Sequence, residues 1–445
     1  MSEYQSFVVD RAEGVWLFDS TGRPLLDGVS SMWCNVHGHR HPVIDKAIVD
    51  QLQRVAHVTS LGASNSTTIE LVKRLVELTP DGLECVFFSS DGACAVEIAL
   101  KMAFQYWRQT ASPQPQRNLF LALGEAYHGD TIGSVSVGGV SRFHAMFDPL
   151  LFKVVRGPCP DSYRLPAQFD GHSQPTGLDA TEHVIASGAG LTEYYLRQYA
   201  KLINDFSDRL AAVVVEPLVQ GAAGMVMHPP GFLRGLRELT RQHGILLIAD
   251  EVATGVGRTG RMWACNWEEV QPDFLCTGKG LTGGYLPMAA TITTRTVWDA
   301  FLGEYRDSKS FFHGHTFGGN PLAAAASLAT LNLFATENTL ENVAVRGEQL
   351  DACLQTLASH PQVGSIRRRG LMAAVELVAD RASQSPYPWA ERRGWRACMA
   401  ALDRNVWLRP LGNVIVLMPP LCCREEHIEQ LASAVIHGVS VATTD

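Results

Sequence analysis

Gly244-Ile-Leu-Leu-Ile-Ala-Asp250-Glu251 and, further on, Asp273-Phe-Leu-Cys-Thr-Gly-Lys279-Gly-Leu-Thr-Gly-Gly284 are the stretches whose reading decides the fold. Each is a short apolar run that ends by delivering one charged side chain, a carboxylate in the first and a lysine in the second. A short apolar run bounded by turn residues reads as a buried strand. Working outward, the same pattern recurs at 85–89, which runs into Ser90-Asp91-Gly92-Ala93, and at 118–123, which runs into Tyr127-His128-Gly129. It recurs again at 211–215, which ends in Glu216. Amphipathic patterns predict helices over 95–108, 194–209 and 232–242 between these strands. Alternating strand and helix from about 85 to 293 predicts an α/β domain with a mostly parallel sheet. In such sheets the strand carboxyl ends line the ligand crevice, so Asp91, Glu216, Asp250 and Lys279 can converge.

On either side the pattern changes. A hairpin is predicted over 15–27 and helices over 43–58 and 69–78, the latter with cap candidates in Ser66-Thr67-Thr68. Residues 157–195, rich in Pro, Gly, Ser and Asp, read as a surface excursion. After Pro321, helices are predicted over 322–334, 342–357, 392–404 and 425–439. Strands at 363–366, 371–378, 406–409 and 414–418 complete a smaller α+β unit.

Several functions are excluded by composition and motif context. A net charge of −8 with no basic tract argues against nucleic-acid binding. The densest basic run, Gly364-Ser-Ile-Arg-Arg-Arg369, reads as a solvated strand edge. The N-terminus lacks the charged start and apolar core of a secretory signal, and no apolar run is long enough to span a bilayer. Ten cysteines without a C-x-x-C pair suit reduced thiols and a cytoplasmic protein. His37, His39 and His41 alternate as strand-borne metal ligands would, but Gly38 and Pro42 interrupt the strand, so a polar loop is expected and no metal site. Gly255-Val-Gly257-Arg-Thr-Gly260 satisfies G-x-G-x-x-G, yet it does not sit directly between a strand and a helix as a dinucleotide fingerprint must.

The lysine then carries the chemistry. Desolvated after a buried strand, an amine loses basicity and becomes nucleophilic, and such lysines form Schiff bases with carbonyl compounds. Pyridoxal phosphate needs, besides the lysine, an anion cup, a carboxylate at the ring nitrogen and an aromatic wall. Gly92-Ala93 at a helix start, Asp250 and Tyr127 are the respective candidates.

Ile245 to Gly260, with Thr277-Gly-Lys-Gly-Leu-Thr-Gly-Gly284, resembles the class III pyridoxal-phosphate aminotransferases. The resemblance implies a fold-type I transferase divided as 1–58 (N-terminal part of the small domain), 59–329 (large cofactor domain) and 330–445 (C-terminal small domain). It implies a homodimer with active sites at the interface and small-molecule substrates. In it Lys279 would bind the cofactor and act as base, Asp250 would pair with the ring nitrogen, and Gly92 and Ala93 would hold the phosphate. Tyr127 would border ring and substrate, and His315 and Thr316 would reach the phosphate from the partner subunit. Met32, Trp33, Gly314 and Arg409 would contact substrate, Arg409 through a bidentate grip on a carboxylate.

Within the family, Leu26-Asp27-Gly-Val-Ser-Ser31, Tyr127-His-Gly-Asp-Thr131, Phe312-His-Gly-His-Thr-Phe317 and Arg409-Pro are similar to the branch that aminates 8-amino-7-oxononanoate in biotin synthesis. That branch implies S-adenosylmethionine as amino donor. Met32 in place of a first tryptophan and Val416 in place of a tyrosine depart from it, and Met32 with Asn35-Val-His-Gly-His39 is closer to members that use lysine. Lysine as donor, or another class III ω-amino-acid or diamine activity, are the alternatives. The N-terminal segment that helps cover substrate in this branch is expected to be absent, and Ser90-Asp91-Gly92 replaces the usual Asp-Ser-Gly.

Overall fold

A computed structural model describes residues 7–167 and 183–444. The first six residues and the stretch 168–182 of the expected excursion lie outside the described residues.

The strands Leu246–Asp250 and Phe274–Thr277 lie side by side and parallel in the middle of a seven-stranded sheet. Leu210–Val215, Leu119–Leu123 and Val155–Gly157 extend it in parallel on one side. On the other side Ala289–Thr294 runs antiparallel between Phe274–Thr277 and the edge strand Leu83–Ser89. The central strands are buried along their whole length, which is why they read as continuous apolar runs and not as alternations. Helix Gly92–Gln109 packs one apolar face on this sheet through Val96, Ala99 and Ala103. Tyr199, Phe232 and Leu236 of helices His183–Phe206 and Phe232–Gln242 belong to the core on the opposite face.

The strands Val9–Glu13, Trp16–Asp19 and Pro24–Asp27 form an antiparallel meander that Val406–Trp407 joins in parallel. The chain's two ends are therefore tied together through Leu26 and Val406. Val363–Arg369, Met372–Asp380, Val414–Leu417 and Arg409–Leu411 make a separate antiparallel sheet. Helices Arg393–Asp403 and Glu425–Thr443 bury Ala397, Ala401, Leu431 and Val435 in the core shared with these sheets.

Some expectations need correction. The helix expected over 43–58 is Pro42–Leu52; its last turn tightens as the N–H groups of Arg54 and Val55 both settle on the Gln51 carbonyl. The helix expected at 69–78 begins at Ser66, capped by the Asn65 side chain and not by Ser or Thr. The helix expected over 342–357 is Thr339–Leu354, and the one expected from 194 already runs from His183. The strand expected over 406–409 divides, with Val406–Trp407 in the meander and Arg409–Leu411 in the other sheet. The basic run is not a solvated edge. Arg367 is buried on the carbonyls of Gly224 and Met225 and on Glu376, and Arg368 pairs with Asp351. The three histidines also serve the fold: His37 meets the Thr330 carbonyl, His39 meets Asp27 and His41 meets Glu337.

Candidate active site

The carboxyl ends of five strands open onto one cavity of about 730 Å³, lined by Ser90, Tyr127, Glu216, Asp250 and Lys279. Gly92, Ala93, Tyr127, Asp250, Lys279 and Trp33 all line it. Met32, Gly314, His315, Thr316 and Arg409 are not among its lining residues.

Lys279 leaves its strand in the left-handed region, with φ 43°, and starts the short turn Lys279–Thr282. Gly284 at φ 88° closes that turn against the backbone of Cys34 and Asn35, where a Cβ would lie 3.0 Å from three atoms. Lys279 is partly buried at the cavity, and burial lowers its pKa against the pull of Asp250 and Glu216. Its Nζ lies 5.4 Å from the centroid of the Trp33 ring.

Asp250 is held on both oxygens. Oδ1 accepts the N–H of Val252 at 3.0 Å, and Nδ1 of His128 donates to Oδ2 at 2.7 Å. His128 Nε2 is buried with no partner among the described residues. His128 is thus a part of the site whose signal in the sequence was its position after Tyr127 at a strand's carboxyl end. Behind both lies Glu216, accepting the N–H of Tyr127 on Oε1 and that of Gly221 on Oε2, each at 2.9 Å. Burial, reinforced by Asp250, pushes its carboxyl up to about 7. A raised carboxyl pKa contributes stability that is full at acid pH and is lost as pH rises through the folded value. Glu216→Gln is therefore expected to melt below the wild type near pH 5 and to close that gap near pH 8. Parallel melting profiles across that range would contradict the assignment.

Tyr127 donates its hydroxyl to Asp130 at 2.9 Å and stacks on His144 at 6.1 Å with an interplanar angle of 14°. Burial, aided by Asp130, keeps the phenol protonated.

The expected anion cup falls at the start of helix Gly92–Gln109. The N-cap Asp91 accepts the N–H of Cys94 at 2.9 Å on its side chain and that of Ala95 on its carbonyl. The N–H groups of Gly92 and Ala93 are left at the cavity, where a helix N-terminus favours an anion. A Cβ at Gly92 would stand 2.5 Å from Val252 Cγ1, so glycine is required for the close approach. Gly92→Ala is expected to cost about 1–3 kcal/mol of stability. It should also weaken phosphate-ester binding, measured by melting and by cofactor titration; unchanged values in both would count against this account of the cup. A phosphorylated ring with a basic nitrogen fits the set: a cup of amides, a fixed carboxylate, an aromatic wall and a desolvated amine.

Trp33 reaches the cavity by an unusual route. Ser30, Ser31, Met32 and Trp33 all have positive φ, from 47° to 76°, so four consecutive L-residues make one left-handed turn. Such a turn costs roughly 1–2 kcal/mol per residue. Arg258, buried in the glycine-rich loop 255–260, reaches the Ser30 hydroxyl and the carbonyls of Asn35 and Pro419. That glycine loop is a run of mostly buried turns whose Arg258 fastens the chain on either side of Trp33, and no helix follows it directly. Met32, half exposed, receives Arg409 Nη1 on its sulfur at 3.6 Å. Val416 is buried in the cluster against which Trp33 packs.

Residues 314–316 sit in an exposed segment outside the cavity. Within one chain His315 Nδ1 accepts from the Ser90 N–H at 3.2 Å, at the cavity's edge. Among the described residues there is no cluster able to hold a metal ion and no helix long and apolar enough to cross a membrane. The ten cysteines are free.

Comparison with known proteins adds to this geometry. The family described as aminotransferase class-III matches residues 1–439. The chain is 50% identical over 438 residues to the adenosylmethionine-8-amino-7-oxononanoate aminotransferase of Nitratidesulfovibrio vulgaris, covering 98% of this chain and 78% of that one. It is 46% identical over 426 residues to the protein of the same name from Aquifex aeolicus, covering 96% and 90%. Among solved structures, the protein of that name from Methanocaldococcus jannaschii superposes with a TM-score of 0.89 at 39% identity, covering 99% and 94% of the two chains. An amine transaminase from an uncultivated Pseudomonas species, solved with pyridoxal phosphate bound, superposes with a TM-score of 0.90 at 36% identity over 98% and 95%.

Proposed function

The chain belongs to the class-III aminotransferases, and on that premise we propose that it aminates 8-amino-7-oxononanoate to 7,8-diaminononanoate in biotin synthesis, with S-adenosyl-L-methionine as donor. The observation that carries this reading is one cavity holding a desolvated lysine, a fixed buried carboxylate and a helix-start anion cup together. The substrate assignment draws its support from relatives at 40–50% identity that share one name.

Pyridoxal 5′-phosphate, when bound, supplies the electron sink that makes a Cα–H bond of an amine acidic. Gly92 and Ala93 would hold its phosphate through their backbone N–H groups, and Asp250, oriented by His128, would keep its ring nitrogen protonated. Lys279 would hold the aldehyde carbon, and its Nζ, made less basic by burial, would take the proton from the donor's C–H bond and, in the other half of the reaction, deliver one to the acceptor carbon that gains the amine. Tyr127 and Trp33 wall the cavity and exclude water. Arg409, beside Met32, grips a substrate carboxylate; donor and acceptor both carry one, so a single site serves both halves of the reaction.

The working form is a homodimer in the cytoplasm. Phe312 and Phe317, 80% and 62% exposed, flank Gly314-His315-Thr316 and form an apolar rim that a second copy covers. Thr316 then reaches the phosphate of the partner's site.

The donor is tested by mixing the pyridoxal-loaded protein with S-adenosylmethionine or with lysine and following the cofactor's visible absorbance. Conversion to the amine form by S-adenosylmethionine is expected. Conversion by lysine alone would move the donor to the alternative that Met32 and Val416 favour, and conversion by neither would sink the biotin assignment.

A further inference from the structure

The left-handed turn Ser30–Trp33 has no glycine in it, so something must hold it against its backbone preference. Its two ends are fastened: the Ser30 hydroxyl donates to the Met418 carbonyl at 2.5 Å, and Arg258 bridges Ser30, Asn35 and Pro419. In its middle the Cys34 thiol meets the Ser31 carbonyl at 3.1 Å and the Trp33 N–H donates to the Val29 carbonyl at 2.8 Å, and one carboxylate takes both polar hydrogens of Ser31. Asp27, completely buried, accepts the Ser31 N–H on Oδ1 at 2.9 Å and the Ser31 hydroxyl on Oδ2 at 2.7 Å. His39 Nε2 stands 3.0 Å from the same Oδ2 and fixes the carboxylate in turn.

We infer that Asp27 is a positioning residue for substrate recognition: it holds Ser31 and Met32 in the left-handed form and so sets Trp33 over Lys279 and Met32 against Arg409. Asp27 does not line the cavity, so its influence passes through the turn. The place into which it aims Trp33 is prepared. Gly221 has no side chain, and a Cβ there would lie 3.2 Å from Trp33 Cζ3. If Ser31 were released, the chain would relax towards negative φ, drawing the indole from this slot and Met32 from the Arg409 guanidinium. The cup and Asp250 lie on other elements and would not follow. The inference rests on the reading of this cavity as the active site.

The test uses the cofactor-loaded enzyme with Asp27→Asn, Ser31→Gly and the double variant. Asparagine fills the same space but carries one acceptor in place of two and no charge. Asp27→Asn should raise KM for both substrates about tenfold. Its kcat and its cofactor affinity, measured by absorbance titration, should stay within about threefold. Amide hydrogen exchange at residues 31–33 should quicken about tenfold or more while helix Gly92–Gln109 keeps its protection. Glycine at 31 needs no holding, so the KM effect of Asp27→Asn should shrink to about threefold or less in the Ser31→Gly background. Equal losses in kcat and cofactor affinity, or unchanged exchange at the turn, would overturn the inference and leave Asp27 a plain stabiliser of the fold. A wild-type enzyme that aminates nothing would defeat the functional reading instead, and the exchange measurement would still decide whether Asp27 holds the turn.

Discussion

Lys279→Ala is expected to cut turnover by about 10⁴-fold or more and to remove the visible absorbance of lysine-bound cofactor, while the protein stays folded. The side chain is partly buried and burial disfavours its charged form, so its removal discards that cost. Its φ of 43° is no harder for alanine than for lysine, and the turn keeps Gly283 and Gly284, which carry its sharpest bend. The melting temperature should accordingly hold or rise. Added pyridoxal phosphate should still bind through the cup, with the spectrum of the free aldehyde. A variant that retained wild-type turnover would show that the cavity's amine is a bystander.

Asp250→Asn is the second large effect, expected at about 10²–10³-fold in turnover. The amide keeps the shape of the carboxylate and can still accept from Val252, but it cannot hold a proton on a ring nitrogen by charge. It also leaves His128 Nδ1 facing a neutral group. His128→Asn should therefore give a smaller loss, because Asp250 keeps its charge and only its orientation is relaxed. Single-turnover rates and a cofactor titration across the variants check the order. Equal rates for wild type and Asp250→Asn would contradict the role given to this carboxylate.

The large sheet was legible because its strands are buried on both faces, so 211–215, 245–249 and 274–276 are apolar throughout and are each followed directly by a polar residue, Glu216, Asp250 and Thr277. The strand Val9–Glu13 was not legible: four of its five residues are exposed, and Val-Asp-Arg-Ala-Glu carries no alternation for a core to impose. Of the site, the residues following strands could be placed, since the end of a parallel strand is a position that topology fixes. What hid was everything made by distant pairing. Nothing local in Leu26-Asp27-Gly28 shows that the carboxylate fastens Ser31, and Ser-Ser-Met-Trp contains no residue that prefers the left-handed region. The arginines 367 and 368 read as a solvated run because their acceptors lie at Gly224, Met225, Asp351 and Glu376, remote in sequence. The glycine-rich stretch 255–260 had the letters of a dinucleotide site, and its position away from any strand-to-helix junction was the better guide.

The central claim is that this cavity moves an amino group onto 8-amino-7-oxononanoate. The most direct measurement incubates the pyridoxal-loaded protein with that acid and S-adenosylmethionine and identifies the product by mass spectrometry, with Lys279→Ala alongside. The account predicts 7,8-diaminononanoate from the wild type and none above background from the variant. No diamine with this donor or with lysine, from a protein that still transaminates a simple diamine or ω-amino acid, would contradict it.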